Sequence, residues 1–355
     1  MVASRDRTVL ARRSPLLAVA VAAALGVGLA SPSQAPAQTA RTALGTGGSR
    51  ARVLRRQPPP RTRRVQRLRP RTHPLPLRRF APRPTPRRSW KTRGEVRDVT
   101  TRFASAYRRA AAGSSVLPAE AHELVYLVVP GAMGHQVPRY MAKTQRHLES
   151  LGLEVHRSRI DTRAGVEKNA ATLRDEILAL SKGKRSVVLV THSKGGVDAL
   201  AADAIYREIR PHLRARVLMQ PPWDGTPMAD MADGVMARFA LRMIGGKAAL
   251  IADLKGTARR DFAAAHRHSL SVPTVTLATS QHGWSALTPM AAMLRRADKG
   301  DSDGVVPSSS QEVPGTHVVR LDRLDHWSTV LEMPGAAYRP GPLAEALLAV
   351  ALSIR

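Results

Sequence analysis

The strongest structural constraint in this sequence is an apolar run that leads directly into a tight turn of small residues. Residues 186–190 (SVVLV) are a predicted buried strand, and residues 191–196 (THSKGG) follow at once. A turn of this kind, between a strand and a helix, needs small residues two positions before and after its centre. With Ser193 at the centre, these positions hold Thr191 and Gly195. Glycine is usual at the first position. Because threonine disfavours positive φ, we expect a slightly altered turn.

From about residue 101, predicted strands and helices alternate along the chain. The predicted strands lie at 124–129, 153–157, 186–190, 215–219, 272–278 and 316–321. The predicted helices lie at 138–151, at 165–181, from 195 onward and at 342–353. This alternation predicts an α/β fold, with a mostly parallel sheet and helices on both of its faces. Residues 228–268 are rich in Met and Ala and lack a strand pattern, so we expect a helical cap over the sheet edge.

The first 37 residues have the pattern of a signal peptide. Four arginines precede an uncharged apolar stretch at 15–30. Residues 35–37 (APA) are small residues in the A-x-A pattern of a signal-peptide cleavage site. We therefore expect an exported protein, located in the periplasm or cell envelope or secreted. The alternative is an uncleaved anchor that holds the body outside the membrane.

Residues 38–100 form a predicted disordered linker that joins this segment to a domain at 101–355. The chain has a net charge of +29, and residues 1–100 carry 23 Lys and Arg against three Asp and Glu. An Arg- and Pro-rich segment of this kind buries too little apolar surface to fold. It is either a solvated spacer or a tether to an anionic envelope surface. Aromatic residues are not interleaved regularly, so we expect no nucleic-acid partner.

Three loops that follow predicted strands carry the residues for nucleophilic catalysis. A serine nucleophile needs a base, and the base needs an acid that orients it. Ser193 is the candidate nucleophile, Asp303 follows the strand at 272–278, and His326 follows the last strand. Asp301 and, less favourably, Asp224 are alternative acids. His282 is a weaker competitor for the role of base.

An acyl-transfer site also needs two amide groups that stabilise an oxyanion. The first is the amide of the residue after the nucleophile, Lys194. The second should come from the glycine-containing loop after the 124–129 strand, where we assign Ala132, with Met133 as the alternative. The chain contains no cysteine, which excludes disulfides, thiolate metal sites and a cysteine nucleophile. No metal or cofactor is predicted.

Residues from about 120 to 355 resemble the lipase-like branch of the α/β-hydrolases. The matching motifs are VVPGAMG at 128–134, THSKGG at 191–196, PPWDGTPMAD at 221–230, SDGVVP at 302–307 and DHWSTV at 325–330. Pro130 replaces a histidine that is usual in the first motif. Ser328 replaces the aspartate with which some of these lipases bind calcium, so no calcium site is carried over.

This resemblance implies the hydrolysis of carboxylic esters, with a small-molecule or lipid ester as substrate. The same fold also hosts peptidases, polyester depolymerases and acyltransferases. A catalytically inert body that binds the envelope is the remaining alternative.

Overall fold

The computed structural model describes residues 96–183, 185–231, 248–266, 272–282, 285, 287–296, 300–333 and 336–354. The predicted signal peptide, nearly all of the predicted linker and a large part of the predicted cap lie outside these residues. Within the described ranges, no helix has the length and apolar character needed to cross a membrane.

The strands in the described residues form one seven-stranded sheet in the order β1-β7-β6-β5-β4-β2-β3. Their bounds are β1 Arg97–Asp98, β2 Val125–Val129, β3 Glu154–Arg157, β4 Val187–His192, β5 Leu213–Met219, β6 Thr274–Ser280 and β7 His317–Asp322. All neighbouring strands are parallel. The predicted parallel α/β sheet is confirmed.

The helices cover both faces of this sheet. Their bounds are α1 Thr100–Ala111, α2 Ala142–Ser150, α3 Val166–Leu180, α4 Lys194–Ile205, α5 Pro227–Met231, α6 Ala248–Ala252, α7 Gly256–Ala265, α8 Thr288–Arg296 and α9 Pro340–Leu352. Side chains of a strand alternate between the two faces. In β4, Val188 and Val190 pack with α1, α2 and α9, whereas Val187 and Leu189 pack with α3 and α4.

The folded body begins before the predicted boundary at residue 101. Strand β1 pairs with the start of β7, Arg97 opposite His317. Val99 is 7% exposed and belongs to the same core as Phe103 of α1. The sequence predicts that residues 97–100 belong to the linker, because they follow the Arg- and Pro-rich stretch, but strand pairing and burial place them in the domain.

The segment between β2 and α2 differs from the predicted helix at 138–151. Helix α2 begins only at Ala142. Arg139 and Met141 both have positive φ, which an α-helix does not accommodate. Tyr140 fits the helical spacing of apolar residues, yet it lies in the loop that precedes the helix and is buried at 3% exposure.

The described parts of the predicted cap are helical. They comprise α5, α6 and α7, whereas residues 232–247 and 267–268 lie outside the described residues. The cap as a whole therefore stays a prediction.

Parallel strands bring their carboxyl ends to one edge of the sheet, and loops that follow them meet there. The candidate residues follow four different strands: Ala132 after β2, Ser193 after β4, Asp303 after β6 and His326 after β7.

Candidate active site

Ser193 lies at a strained turn between β4 and α4. Its backbone has φ 52° and ψ −129°, a combination that L-residues rarely adopt. The Ser193 amide donates to the carbonyl of Met219 at 2.8 Å, which ties the turn to the end of β5. The positive φ falls on Ser193, so the expectation that Thr191 would alter the turn is wrong. Thr191 belongs to β4, where a β-branched residue fits well, and its hydroxyl donates to the carbonyl of Val217 at 3.1 Å.

Two glycines allow the backbone to pack closely around this turn. A Cβ on Gly195 would lie 2.5 Å from the carbonyl oxygen of Pro130, so α4 can pass the end of β2 only without a side chain there. A Cβ on Gly131 would lie 2.8 Å from the Cβ of Ser193. The loop after β2 therefore packs directly against the serine.

His326 joins Ser193 and Asp303 in one hydrogen-bonded chain. The Nε2 atom of His326 lies 3.0 Å from the Oγ of Ser193, and its Nδ1 lies 2.7 Å from the Oδ2 of Asp303. All three side chains are buried, at 8% exposure for Ser193, 5% for His326 and 0% for Asp303. A carboxylate only accepts, so Nδ1 donates to it and Nε2 is left to accept the serine proton.

The Asp303 carboxylate is fixed by its own loop. Its Oδ1 accepts the amides of Val305 at 2.9 Å and Val306 at 2.7 Å. Gly304 has φ 95°, and a Cβ on it would lie 2.6 Å from the Cβ of Leu287. These contacts leave Oδ2 directed at His326.

The alternative acids and the alternative base lie elsewhere. The Oδ2 of Asp301 is 3.6 Å from the Nε2 of His282, whose side chain is 41% exposed. Asp224 is placed among Arg259 and Arg260; burial raises its pKa, and the two arginines partly counteract this. The structure thus brings Asp303 and His326 to Ser193, and these alternatives do not contact that chain of hydrogen bonds.

Among the described residues, the amides of the two predicted oxyanion donors, Ala132 and Lys194, form no hydrogen bond to a backbone carbonyl. The alternative donor, Met133, already donates to the carbonyl of Thr162 at 3.1 Å, which favours Ala132. Lys194 is the first residue of α4, and the positive end of the helix dipole favours negative charge there.

The side chain of Lys194 forms a buried ion pair that the sequence analysis did not identify. Its Nζ lies 2.6 Å from the Oδ1 of Asp198, and both side chains are 1% exposed. Burial raises the pKa of Asp198, while Lys194 and the amide of Asn169, at 2.9 Å, counteract the rise. A lysine and an aspartate four residues apart, in a predicted helix of mostly small and apolar residues, were the signal for this pair.

Three further buried polar residues surround the site and were also missed. Tyr140 contacts the Nδ1 of His192 at 2.5 Å, and the Nε2 of His192 lies 3.0 Å from the Oε1 of Gln220. Burial, followed by the nearby His326, lowers the pKa of His192 well below its usual value. A polar residue directly after the buried strand β5 was the signal for Gln220.

Within the described part of the chain, no group of three or more His, Asp or Glu residues is placed to hold a metal ion.

Comparison with known proteins identifies the fold. No protein-family model and no curated protein sequence matches the chain. Among solved structures, a metagenomic carboxyl esterase matches with a TM-score of 0.63 at 22% identity, over 72% of this chain and 92% of that one. The fold is that of the α/β-hydrolases. The mature form of a Bacillus licheniformis lipase has a TM-score of 0.51 at 22% identity, over 59% and 87% of the two chains.

Lipase 1 from Pelosinus fermentans matches this α/β-hydrolase fold with a TM-score of 0.50 at 12% identity, over 66% and 100% of the two chains. At these identities the likeness establishes the fold. The α/β-hydrolase fold predicted from the motifs is confirmed. The candidate residues follow the chain order that this fold uses, with the serine after β4, the acid after β6 and the histidine after β7.

Proposed function

We propose that this protein hydrolyses carboxylic esters, with Ser193 as nucleophile, His326 as general base and Asp303 as the acid that orients the base. The observation that carries the proposal is the continuous chain of hydrogen bonds from the Ser193 Oγ through His326 to Asp303. The serine lies on a strained strand-to-helix turn, which exposes its hydroxyl at the edge of the sheet, and the adjacent histidine can activate it.

In the first step, the Oγ of Ser193 attacks the ester carbonyl carbon while the Nε2 of His326 takes the serine proton. The carbonyl oxygen becomes an oxyanion, which the amides of Ala132 and Lys194 stabilise. The C–O bond to the alcohol then breaks. The alcohol leaves with the proton from Nε2, and an acyl ester remains on Ser193.

In the second step, a water molecule gives a proton to the Nε2 of His326 and attacks the acyl carbon. The second tetrahedral species collapses, the carboxylic acid leaves and Ser193 regains its proton. Asp303 keeps the Nδ1 proton of His326 in place and stabilises the imidazolium that forms in both steps.

The proposed test is labelling of the full-length protein with a fluorophosphonate probe, combined with turnover of p-nitrophenyl esters. We expect Ser193→Ala to abolish both. We expect Asp303→Asn to lower kcat by roughly 10⁴-fold, because the wrong histidine tautomer is then favoured. Asp301→Asn is the matched control, two residues away, and should retain activity. A well-folded parent protein that neither reacts with the probe nor turns over ester would instead support an inert binding module.

The proposed substrates include lipid and other long-chain acyl esters. The support is the methionine content of residues 228–268, because flexible thioether side chains adapt to acyl chains. A series of p-nitrophenyl esters of increasing chain length, measured beside peptide, polyester and alcohol-acceptor substrates, separates this proposal from a peptidase, a depolymerase and an acyltransferase. Strong peptide turnover with weak ester turnover would contradict it.

Export, and attachment to an anionic envelope surface through the Arg- and Pro-rich segment, are part of the same proposal. The support is the order of basic, apolar and small residues in 1–37 and the charge of the segment that follows. Sequencing the mature N-terminus tests export. Deleting residues 38–95 should reduce binding to anionic vesicles while turnover of a soluble ester is unchanged.

A further inference from the structure

Gln220 has an unusual backbone and a buried side chain at the end of β5. Its φ is 51°, in a region that favours glycine, and its side chain has no exposure to solvent. The backbone amide of Gln220 donates to the backbone carbonyl of Leu277 at 2.9 Å, and this bond stabilises the conformation. A non-glycine residue kept at positive φ in a buried position points to a specific requirement for its side chain.

The carboxamide of Gln220 uses its full hydrogen-bonding capacity. Its Oε1 accepts from the hydroxyl of Thr329 at 2.7 Å and from the Nε2 of His192 at 3.0 Å. Its Nε2 donates to the hydroxyl of Thr279 at 2.5 Å and to the carbonyl of Asp325 at 3.1 Å. An amide side chain offers two donors and two acceptor positions, and all four have partners here.

His192 extends these contacts to the backbone of the catalytic histidine. Its Nε2 lies 3.1 Å from the carbonyl oxygen of His326 and is shared between that oxygen and Gln220. The two imidazole rings lie 4.6 Å apart. Nε2 faces two acceptors, so it carries the proton, and Nδ1 accepts from the hydroxyl of Tyr140.

These contacts converge on residues 325–329, the loop that carries His326. The side chain of Gln220 forms hydrogen bonds with the Asp325 carbonyl and the Thr329 hydroxyl, and the side chain of His192 forms one with the His326 carbonyl. We infer that Gln220, acting through this loop and with His192, is a positioning residue for the catalytic base. It keeps the Nε2 of His326 within hydrogen-bonding distance of the Ser193 hydroxyl. The role of His326 in this inference rests on the proposed function.

Replacing Gln220 with methionine preserves the side-chain volume and removes its hydrogen bonds. We expect Gln220→Met to lower kcat for a p-nitrophenyl ester roughly 10- to 100-fold, since a displacement of about 1 Å at a catalytic group has an effect of this size. KM should be unchanged, because Gln220 contacts no substrate in this proposal. Thr329→Val removes one of the four bonds and should have a smaller effect in the same direction. If Gln220→Met does not fold, Thr329→Val is the variant that tests the inference.

Thr316→Val is the control for a purely structural effect. Thr316 lies at the amino end of β7, and its buried hydroxyl lies 2.9 Å from that of Thr276. We expect this variant to lose stability while kcat stays at the parent value. If kcat for Gln220→Met also stays at the parent value, the inference is wrong.

The His326→Ala background shows whether Gln220 acts through the base. Groups that act as one unit have strongly non-additive effects. We therefore expect His326→Ala and His326→Ala/Gln220→Met to have the same residual rate with an activated ester. A further loss of the size seen in the parent background would show that Gln220 acts elsewhere, and would overturn the inference.

Hydrogen exchange of the loop provides a readout that does not depend on turnover. Amides in the peptide 323–333 should exchange faster in Gln220→Met and in Thr329→Val than in the parent or in Thr316→Val. If the two variants exchange faster but the parent itself has no esterase activity, the proposed function is refuted while the anchoring of the loop is supported. Unchanged exchange would refute the anchoring itself.

Discussion

The Ser193 backbone combines strain with firm support. A residue in this region of φ and ψ costs of the order of 1–3 kcal/mol. The turn is held on both sides, since Ser193 donates to the carbonyl of Met219 at 2.8 Å and its own carbonyl accepts the amide of Gly196 at 2.9 Å. Because both contacts are made by backbone atoms, the position of the Ser193 backbone depends little on neighbouring side chains.

The residue before it, His192, is a buried imidazole whose charge state affects stability. Its pKa is lowered by burial and by His326, so the folded protein binds a proton at this site less readily than the unfolded chain. The unfolded state therefore holds more protons below the ordinary histidine pKa of about 6.5, and stability falls as pH falls through that range.

We expect His192→Gln to reduce the pH dependence of stability on the acid side of pH 6.5. In the parent, this one group contributes a slope of about 1.4 kcal/mol per pH unit below the unfolded pKa. Urea unfolding at pH 7.5 and pH 5.5 measures the difference. His135 and His317 also have lowered pKa values, and both are present in the two proteins, so the comparison isolates His192. Equal pH dependence in parent and variant would contradict a buried neutral His192.

At the scale of elements, α4 is joined to two other helices by buried charge. The Asp198 carboxylate accepts hydrogen bonds from Lys194 of α4 and from Asn169 of α3. Arg259 of α7 is 2% exposed; burial lowers its pKa to about 10, and the charge of Asp198 counteracts this. The helix that follows the nucleophile is thus linked electrostatically to α7, which belongs to the predicted cap.

Removing one partner of the ion pair should be more harmful than replacing both. Asp198→Leu leaves the Lys194 ammonium buried without its partner, and Lys194→Met leaves the Asp198 carboxylate without its own; for each single variant we expect a loss of about 3–5 kcal/mol in the free energy of unfolding. The double variant Lys194→Met/Asp198→Leu buries no charge at these positions and should lose less. Urea unfolding of the single and double variants tests this. A double variant whose loss equals the sum of the two single losses would show that the pair is not coupled.

The long elements were predictable because their side-chain pattern depends on neighbours in the sequence. Strands such as β4 are buried on both faces and read as apolar runs, and α3 shows a regular apolar stripe. Strand β1 has two residues and therefore no pattern. The spacing of Tyr140 from Thr144 and Leu148 fits a helix, but the positive φ of Met141 prevents the helix from extending back to Tyr140.

The sequence predicts those residues of the candidate site whose place depends on the order of strands and loops along the chain. Ser193 and His326 follow from strand context and order. Asp301 and Asp303 could not be separated, because only the folded loop decides which carboxylate turns inward. The partners Gln220 and Thr329 lie 109 residues apart, and nothing local in the sequence predicts their contact.

At the scale of the whole molecule, β1 adds an edge strand to the sheet. Besides its pairing with β7, the segment contributes buried Val99 and an ion pair between Asp98 and Arg320 at 2.7 Å. The amide of Arg320 also donates to the hydroxyl of Thr100 at 2.9 Å. Residues 97–100 thus fasten α1 to the sheet.

A protein that begins at residue 101 should be less stable than one that begins at residue 96. Loss of Val99 burial alone is worth about 1.5–3 kcal/mol, and we expect Tm to fall by roughly 5–10 °C. Calorimetry of the two proteins measures the shift. Esterase activity at 25 °C serves as the control and should be similar, because the removed residues lie at the other end of β7 from the loop that carries His326. Coincident melting curves would show that β1 contributes nothing.

The register of β1 also determines at which end of the strands the described body begins. Arg97 pairs with the first residue of β7, so the chain before residue 96 joins the body at the amino ends of the strands. Ser193 and His326 lie beyond the carboxyl ends, about 20 Å away along a six-residue strand. A protein that begins at residue 96 and is immobilised through that residue on a bead or a surface would present its catalytic edge to the medium, where bulky or insoluble substrates can reach it.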